Sequence, residues 1–358
     1  MKSLFHHELI CWCSFIAILL QHVSSVNLPN NETVPAVFVF GDSLVDPGNN
    51  NYITTIIKCN FPPYGRDFQG GNPTGRFSNG VVPSDIIAEK FEVKKILPAY
   101  LDPNLQLQDL LTGVSFASGG AGYDPLTSKI MSVKSLSDQL EWFKEYKKKM
   151  EEAVGRKNMT LIISKSIYIV CIGSDDIANT YAQTPFRRVQ YDIPSYTDFM
   201  ASKASKFLQE LYEEGGRRIG VFNIPVIGCV PSQRTLNGGL FRECSNTSNN
   251  AARLFNTKLY FKMKTLQRNY SDAKFVYLDC YNPFMEMIQN PSKYGFNETK
   301  KGCCGTGNIE VGILCNRFSM NTCSNPSDYV FWDSYHPTEK AYYALSTLVL
   351  DNKIKDFF

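Results

Sequence analysis

Short apolar runs rich in β-branched and aromatic residues alternate with longer segments of helical periodicity along this chain of 358 residues. The apolar runs occupy positions 34–40, 166–172, 218–224 and 274–278, and the clearest helical segments cover 196–214, 249–269 and 341–351. Strands that are apolar along their whole length are buried on both faces, and intervening helices are the connections that parallel strands need. The pattern therefore predicts a central parallel sheet in an α/β sandwich.

The N-terminal segment has the form of a secretory signal. Lys2 precedes an apolar stretch over 9–20, and small residues follow at 24–25, which predicts a signal peptide over 1–25. The stretch is short for a membrane span, although an N-terminal anchor or a buried helix is the alternative. No later stretch is apolar enough to cross a bilayer, and no repeat or proline-rich linker divides the rest. We therefore expect a secreted, extracellular protein with one domain over 26–358.

Two further patterns fit an oxidising, extracellular compartment. The first is a set of five Asn-x-Ser/Thr triplets, which predict glycosylation at Asn31, Asn158, Asn246, Asn269 and Asn297. The second is the cysteine content, because nine of the eleven cysteines lie beyond the predicted signal.

The cysteines group in loops. Cys229 and Cys244 flank one glycine-rich loop, and Cys303, Cys304, Cys315 and Cys323 lie in another loop region. Both groups predict disulfides, with metal binding by the second group as a weaker alternative, because the spacing is not that of a zinc site. Nine is an odd number, so at least one thiol is expected to stay unpaired or to pair between chains. Cys171 lies in an apolar run and is predicted to be a buried small hydrophobe.

Charge and motif content exclude several classes of function. The net charge is only +3, which argues against nucleic acid as a partner. The chain has neither a Rossmann fingerprint, nor a P-loop, nor the Gly-x-Ser-x-Gly elbow of α/β-hydrolases. With one histidine outside the signal, histidine-based metal sites are also disfavoured, so we expect no metal and no cofactor.

That histidine, His336, and a serine at the end of the first apolar run, Ser43, together favour nucleophilic catalysis. A serine hydroxyl needs an adjacent base, and the base needs a group that fixes its tautomer; Asp333, three residues before His336, can reach the ring within one turn. Ser43 follows the first predicted strand, and we expect it to begin a helix whose amide groups favour an oxyanion. The alternatives are an Asp-Ser helix cap, a loop aspartate and a buried polar histidine.

Five ordered blocks carry a resemblance to a known family. The blocks are Gly-Asp-Ser-Leu-Val-Asp-Pro-Gly-Asn-Asn-Asn at 41–51, Asn-Pro-Thr-Gly-Arg-Phe-Ser-Asn-Gly at 72–80, Gly-Val-Ser-Phe-Ala-Ser-Gly-Gly-Ala-Gly at 113–122, Gly-Ser-Asp-Asp at 173–176 and Asp-Ser-Tyr-His-Pro-Thr at 333–338. In composition, order and spacing they resemble the plant GDSL esterase/lipases of the SGNH hydrolase superfamily. The resemblance implies a three-layer α/β/α sandwich of the flavodoxin-like type with a central parallel sheet, and secretion to the apoplast or cell wall. It also implies hydrolysis of an ester, lipid or acylated-carbohydrate substrate.

The same resemblance assigns roles to residues. Ser43 would be the nucleophile, His336 the base and Asp333 the residue that orients it. The oxyanion hole would comprise the amide of Ser43, the amide of Gly120 with Gly119 as the alternative, and a side chain at position 175.

At position 175 the chain departs from the family pattern, because Asp175 replaces an asparagine. An ionised carboxylate has no hydrogen to donate, and the loss of one oxyanion donor costs roughly 10²–10³-fold in rate. We therefore expect reduced activity. A catalytically impaired ester- or glycan-binding protein and an acyltransferase that uses the same site are the alternatives. The oligomeric state is not predicted.

Overall fold

A computed structural model of the chain describes residue 28 and residues 32–319 and 321–358. The predicted signal peptide over 1–25 and the acceptor Asn31 lie outside these residues. In the part of the chain that is described, no helix is both long and apolar enough to span a bilayer.

The centre of the fold is a parallel sheet of four strands in the order β1-β2-β3-β4. The strands are β1 Val37–Gly41, β2 Ile167–Cys171, β3 Arg218–Phe222 and β4 Lys274–Leu278. All four lie within the apolar runs of the sequence, so the predicted α/β fold with a parallel sheet is confirmed. A fifth segment, near Ser115, extends the sheet beyond β1 through a parallel bridge to Val39. The backbone amides of Phe116 and Ser118 donate hydrogen bonds to the carbonyls of Val39 and Gly41. The pattern of apolar runs does not predict this edge strand.

Helices cover both faces of the sheet, which explains why the strands are apolar along their whole length. Phe38 and Phe40 of β1 belong to one core cluster, and Val37 and Val39 belong to the other. Each side chain is fully buried, which contributes about 1.5–3 kcal/mol apiece relative to exposure. The sheet is therefore the middle layer of the predicted sandwich.

The described residues contain ten α-helices. They are α1 Pro83–Lys90, α2 Leu107–Thr112, α3 Pro125–Met131, α4 Leu136–Lys165, α5 Pro185–Arg188, α6 Ile193–Glu213, α7 Pro231–Asn237, α8 Asn246–Asn269, α9 Tyr281–Gln289 and α10 Glu339–Leu350. A turn of π-helix over Asp176–Tyr181 follows β2, and α4 is interrupted at Gly155, whose φ is +78°. The first core cluster packs under α4, α6 and α8, and the second packs under α1 and α10.

The C-terminal third contains a smaller two-stranded sheet of β5 Glu298–Gly302 and β6 Tyr329–Phe331. Three disulfides join Cys229 to Cys244, Cys303 to Cys323, and Cys304 to Cys315. The predicted disulfides are therefore present, and the structure supplies the pairing within the four-cysteine group. Cys59, Cys171 and Cys280 form no disulfide within the described residues, and Cys171 is buried as predicted.

Candidate active site

The predicted serine, histidine and aspartate meet beyond the carboxyl ends of β1 and β2. The Oγ atom of Ser43 lies 2.8 Å from Nε2 of His336, and Nδ1 of His336 lies 2.8 Å from Oδ2 of Asp333. All three side chains are buried. With the imidazole proton on Nδ1 facing Asp333, Nε2 can accept the serine proton. The arrangement satisfies the geometry of an activated nucleophile, a base and an orienting carboxylate.

Asp333 is fixed by donors on both of its oxygens. The backbone amides of Tyr335 and His336 donate to Oδ1 at 2.8 and 2.7 Å, which closes a tight turn between Asp333 and the histidine. The hydroxyl of Tyr64 donates to Oδ2 at 2.7 Å and accepts the amide of Gly312 at 2.8 Å. Burial, followed by the charge of Asp333, raises the pKa of Tyr64 well above its usual value, so the phenol stays a neutral donor. Sequence reasoning missed Tyr64, because 269 positions separate it from Asp333.

We expect Tyr64→Phe to lower kcat/KM for ester substrates by about tenfold, the lower end of the loss seen when a hydrogen bond that orients a metal-binding side chain is removed. The substitution keeps the ring in its packing but removes the hydrogen bond that orients Asp333. Steady-state kinetics on a soluble ester, with the melting temperature as a folding check, measures this effect. Tyr329→Phe is the control, because Tyr329 is a partly buried tyrosine that packs against the small hydrophobic cluster containing Tyr64. Equal kinetics for both variants would show that Tyr64 does not position Asp333.

Ser43 sits in a turn rather than at the start of a helix, so the predicted helix is wrong. Residues 42–45 form turns, and no regular helix follows before position 49. The turn forms because Oδ1 of Asp42 accepts the Leu44 amide at 3.0 Å, while the Asp42 amide extends the pairing with β2 at Cys171. Just before it, the amide side chain of Gln139 pairs with both backbone groups of Gly41 at 2.9 Å. Hydrogen bonds from the side chains of Asp42 and Gln139 and from the strand pairing, not a helix dipole, therefore hold Ser43 in place.

The amides of Gly119 and Gly120 differ in their hydrogen bonding, which separates the two candidates for the glycine donor. The Gly119 amide donates to Oδ2 of Asp46 at 3.0 Å and is therefore already occupied. No acceptor among the described residues receives the amide of Gly120 or that of Ser43. Gly120 lies with Ser43 and His336 around one cleft, and its φ of +86° favours glycine. These contacts favour Gly120 as the glycine donor.

Two buried carboxylates, Asp46 of the first sequence block and Asp176 of the fourth, hold the glycine loop. Asp46 accepts the amides of Gly48 and Asn49 in addition to that of Gly119. On the other side, Asp176 accepts the amides of Tyr123 and Asp124 at 2.8 and 2.9 Å. Burial raises the pKa of Asp46 to about 6 and that of Asp176 to about 7, because these carboxyls are shielded from water. Both carboxyls thus act as anchors for the loop that carries Gly120.

Asp175 faces the same cleft as Ser43, Gly120 and His336. Its Oδ1 accepts a hydrogen bond from the amide side chain of Asn179, one helical turn further on. The Oδ1 of Asn179 in turn accepts the hydroxyl of Tyr335 at 3.1 Å, and no described residue donates to Oδ2 of Asp175. Burial raises the pKa of Asp175 to about 6, although the charge of His336 and the bond from Asn179 both act in the opposite direction. Sequence reasoning did not identify Asn179.

The cleft over Ser43 has a volume of about 210 Å³ and its walls are mainly apolar. The apolar lining residues are Ile56, Ile57, Phe77, Met131, Val311 and Ile313. A second cavity, of about 70 Å³, adjoins Ser43 on its other side and is lined by Phe222, Ile227, Val230, Phe284 and Leu345 among others. Among the described residues, no cluster of His, Cys, Asp or Glu could hold a metal ion. The arrangement supports acyl transfer to and from a serine.

Known proteins are similar in sequence to this chain over most of its length. Residues 37–349 match the family model described as GDSL-like Lipase/Acylhydrolase. The chain is 50% identical over 348 residues to GDSL esterase/lipase EXL3 of Arabidopsis thaliana, an alignment that covers 97% of this chain and 95% of the relative. It is 49% identical over 353 residues to GDSL esterase/lipase EXL2 of the same plant, covering 94% of this chain and 93% of the relative.

Among solved structures, the fold is similar to that of phospholipase A1 from Streptomyces albidoflavus, with a TM-score of 0.41 and 13% identity over 90% of this chain and 100% of that one. An extracellular lipase from Streptomyces rimosus gives a TM-score of 0.36 with 12% identity, over 88% of this chain and 99% of that one. Because the family model spans most of the chain and curated relatives share about half of its residues, the chain belongs to the GDSL-like lipase/acylhydrolase family and is a carboxylic ester hydrolase.

Proposed function

We propose that the chain is a secreted serine esterase or lipase that works through an acyl-enzyme on Ser43. The observation that carries the proposal is the unbroken series of contacts from Ser43 through His336 to Asp333. As Oγ attacks the ester carbonyl carbon, His336 takes the serine proton on Nε2 and then gives it to the departing alcohol oxygen. A water molecule then attacks the acyl carbon, His336 takes its proton, and the proton returns to Oγ as the carboxylic acid leaves.

The proposed oxyanion hole combines two backbone amides with one carboxylic acid. The free amides of Ser43 and Gly120 would donate to the developing oxyanion. Asp175 would add a third donor only when it is protonated, as a neutral acid can donate where an amide usually does. The bond from Asn179 occupies Oδ1 and leaves Oδ2 to carry the proton. Since the pKa of Asp175 is about 6, the hole would be complete below that pH and negatively charged above it.

The proposed substrate is an ester of a lipid or an acylated carbohydrate. The apolar walls of the 210 Å³ cleft suit an acyl chain, and the relatives are named esterase/lipase. A panel of p-nitrophenyl esters from acetate to palmitate, assayed with purified protein across acid and alkaline pH, tests this function. We expect turnover that is highest on the acid side of neutrality. No turnover of any ester at any pH would contradict the proposal.

A hydrolase-derived binding protein is the second candidate, and Asp175 is the observation that favours it. An ionised Asp175 beside the hole would repel the oxyanion and could leave a protein that binds esters or acylated glycans without turning them over. The two candidates differ in one readout. The binding protein would retain ester affinity in the same assay but release no p-nitrophenol.

We also propose that the mature protein begins near residue 26 and carries glycans. Asn158, Asn246, Asn269 and Asn297 are all exposed, which suits glycosylation. Intact-mass analysis of protein collected from the medium of plant cells, before and after glycosidase treatment and reduction, is expected to show the loss of the signal and the presence of glycans. Thiol counting should give three free cysteines, namely Cys59, Cys171 and Cys280. An unprocessed Met1 with nine free thiols beyond the signal would contradict secretion.

A further inference from the structure

Large apolar side chains are exposed around the mouth of the catalytic cleft. Ile56 and Ile313 line the cleft and are 71% and 54% exposed. Leu314 and Phe318 follow Ile313 on the same loop and are 53% and 77% exposed. Clustered exposure of this kind marks a binding surface more often than scattered apolar residues do. We call these residues the apolar rim.

Disulfides and a hydrogen bond hold the loop that carries Ile313, Leu314 and Phe318. Disulfides from Cys303 to Cys323 and from Cys304 to Cys315 close it on itself. The amide of Gly312 donates to Tyr64, which also holds Asp333, so the loop is tied directly to the catalytic residues. These bonds therefore fix the position of this loop relative to Asp333.

A second exposed apolar segment lies beside the first. Leu236, Leu240 and Phe241 are 55%, 92% and 78% exposed. The disulfide between Cys229 and Cys244 encloses this segment. The hydroxyl of Thr235 donates to the carbonyl of Asn308 at 3.0 Å, which joins the segment to the rim loop. We include Leu236, Leu240 and Phe241 in the apolar rim.

Basic side chains accompany the rim. The backbone of Lys58 lies beside Gly312, the guanidinium of Arg317 lies 4.8 Å from the centre of the Phe318 ring, and among the described residues neither side chain forms an ion pair. The neighbouring carboxylate of Glu310 is occupied by amides of its own loop, including those of Thr306 and Asn308. Apolar side chains flanked by unpaired cations suit the surface of a lipid aggregate, especially an anionic one.

We propose that the apolar rim docks the enzyme on the surface of a lipid aggregate, from which ester substrates pass into the cleft. The inference rests on the proposed function, because it concerns how the same site meets its substrate. It depends on the continuity of the surface: Ile56 and Ile313 belong both to the rim and to the walls around Ser43. An acyl chain leaving the aggregate would pass along apolar side chains and would not cross water.

Vesicle binding in a Ser43→Ala background tests docking without turnover. The probes are vesicles of phosphatidylcholine, alone or mixed with phosphatidylglycerol. We expect the parent variant to bind, and more tightly with the anionic lipid. Adding Leu314→Ser and Phe318→Ser should weaken binding by at least about tenfold, since each removes an exposed apolar side chain from the contact. Leu161→Ser is the matched control, because Leu161 is also 53% exposed but lies on α4 close to the amino end of β2, whereas Ser43 lies beyond the carboxyl ends of the strands.

Kinetics of the same substitutions in the active enzyme give the second readout. We expect Leu314→Ser with Phe318→Ser to raise the apparent KM for an emulsified long-chain ester, with little change in kcat or in kcat/KM for soluble p-nitrophenyl acetate. Vesicle binding that is absent in the parent, or equal in the rim and control variants, would overturn the proposal. A concentration-dependent dimer that Phe318→Ser dissolves, with no vesicle binding, would instead make the rim a contact between copies and would also overturn it. Because docking is measured without catalysis, it can succeed where hydrolysis fails, and the two proposals can fail separately.

Discussion

Ser43→Ala is expected to lower kcat for the best p-nitrophenyl ester by about 10⁴-fold or more while the protein stays folded. The hydroxyl is the only group in the cleft within hydrogen-bonding distance of His336 Nε2, among the residues that the structure describes. Without it no acyl-enzyme forms, and the remaining oxyanion donors leave only a small fraction of the rate. Initial rates at the pH optimum, with circular dichroism as the folding check, measure the effect.

Ser346→Ala is the matched control for that experiment. Ser346 is buried and lines the second cavity beside Ser43, but it has no described contact with His336. It should therefore keep kcat within a few-fold of the parent value. If Ser43→Ala retained a substantial part of the activity, Ser43 would not be the nucleophile.

Asp175→Asn is expected to raise kcat by at least about tenfold at neutral and alkaline pH, the lower edge of what one oxyanion donor contributes. In the parent enzyme the carboxyl of Asp175, with its pKa raised to about 6, is neutral below that pH and ionised above it. The parent should therefore lose activity as the pH rises through about 6, because a donor is replaced by a negative charge. The asparagine donates at every pH, so the alkaline loss should disappear.

Asp175→Ala separates the donor from the charge. Alanine removes the negative charge but offers no hydrogen, so its kcat above neutral pH should lie between those of the parent and of Asp175→Asn. The three profiles of kcat/KM against pH, with melting temperatures, make the comparison. An unchanged or lower kcat/KM in folded Asp175→Asn would show that Asp175 does not stand in the oxyanion hole.

The sequence predicted the parts of the molecule that local patterns encode. The strands β1 to β4 coincide with apolar runs because burial on both faces requires apolar residues along the whole strand. The segment near Ser115 was missed because it joins the sheet as a single bridge and carries a buried hydroxyl in a run rich in glycine and serine. The helix predicted at Ser43 was wrong because the side chain of Asp42 closes a turn on the Leu44 amide instead.

Features that depend on distant contacts could not be read from local sequence. Tyr64 and Gln139 act on Asp333 and Gly41 across 269 and 98 positions. The choice between Gly119 and Gly120 depends on which amide Asp46 already holds, and two adjacent glycines look alike in sequence. Asn179 had a weak local signal, because it lies four positions after Asp175 on the same helical segment, where side chains can meet.

The assignment of Ser43 as the nucleophile is tested most directly by finding which serine reacts with a probe for activated serines. A fluorophosphonate probe forms a covalent bond only with a serine oxygen that a neighbouring base has activated. After treatment of the purified protein and proteolysis, we expect one adduct, on the peptide containing Ser43. We expect no adduct in the Ser43→Ala variant or in heat-denatured protein. An adduct on another serine, or labelling that survives Ser43→Ala, would contradict the assignment.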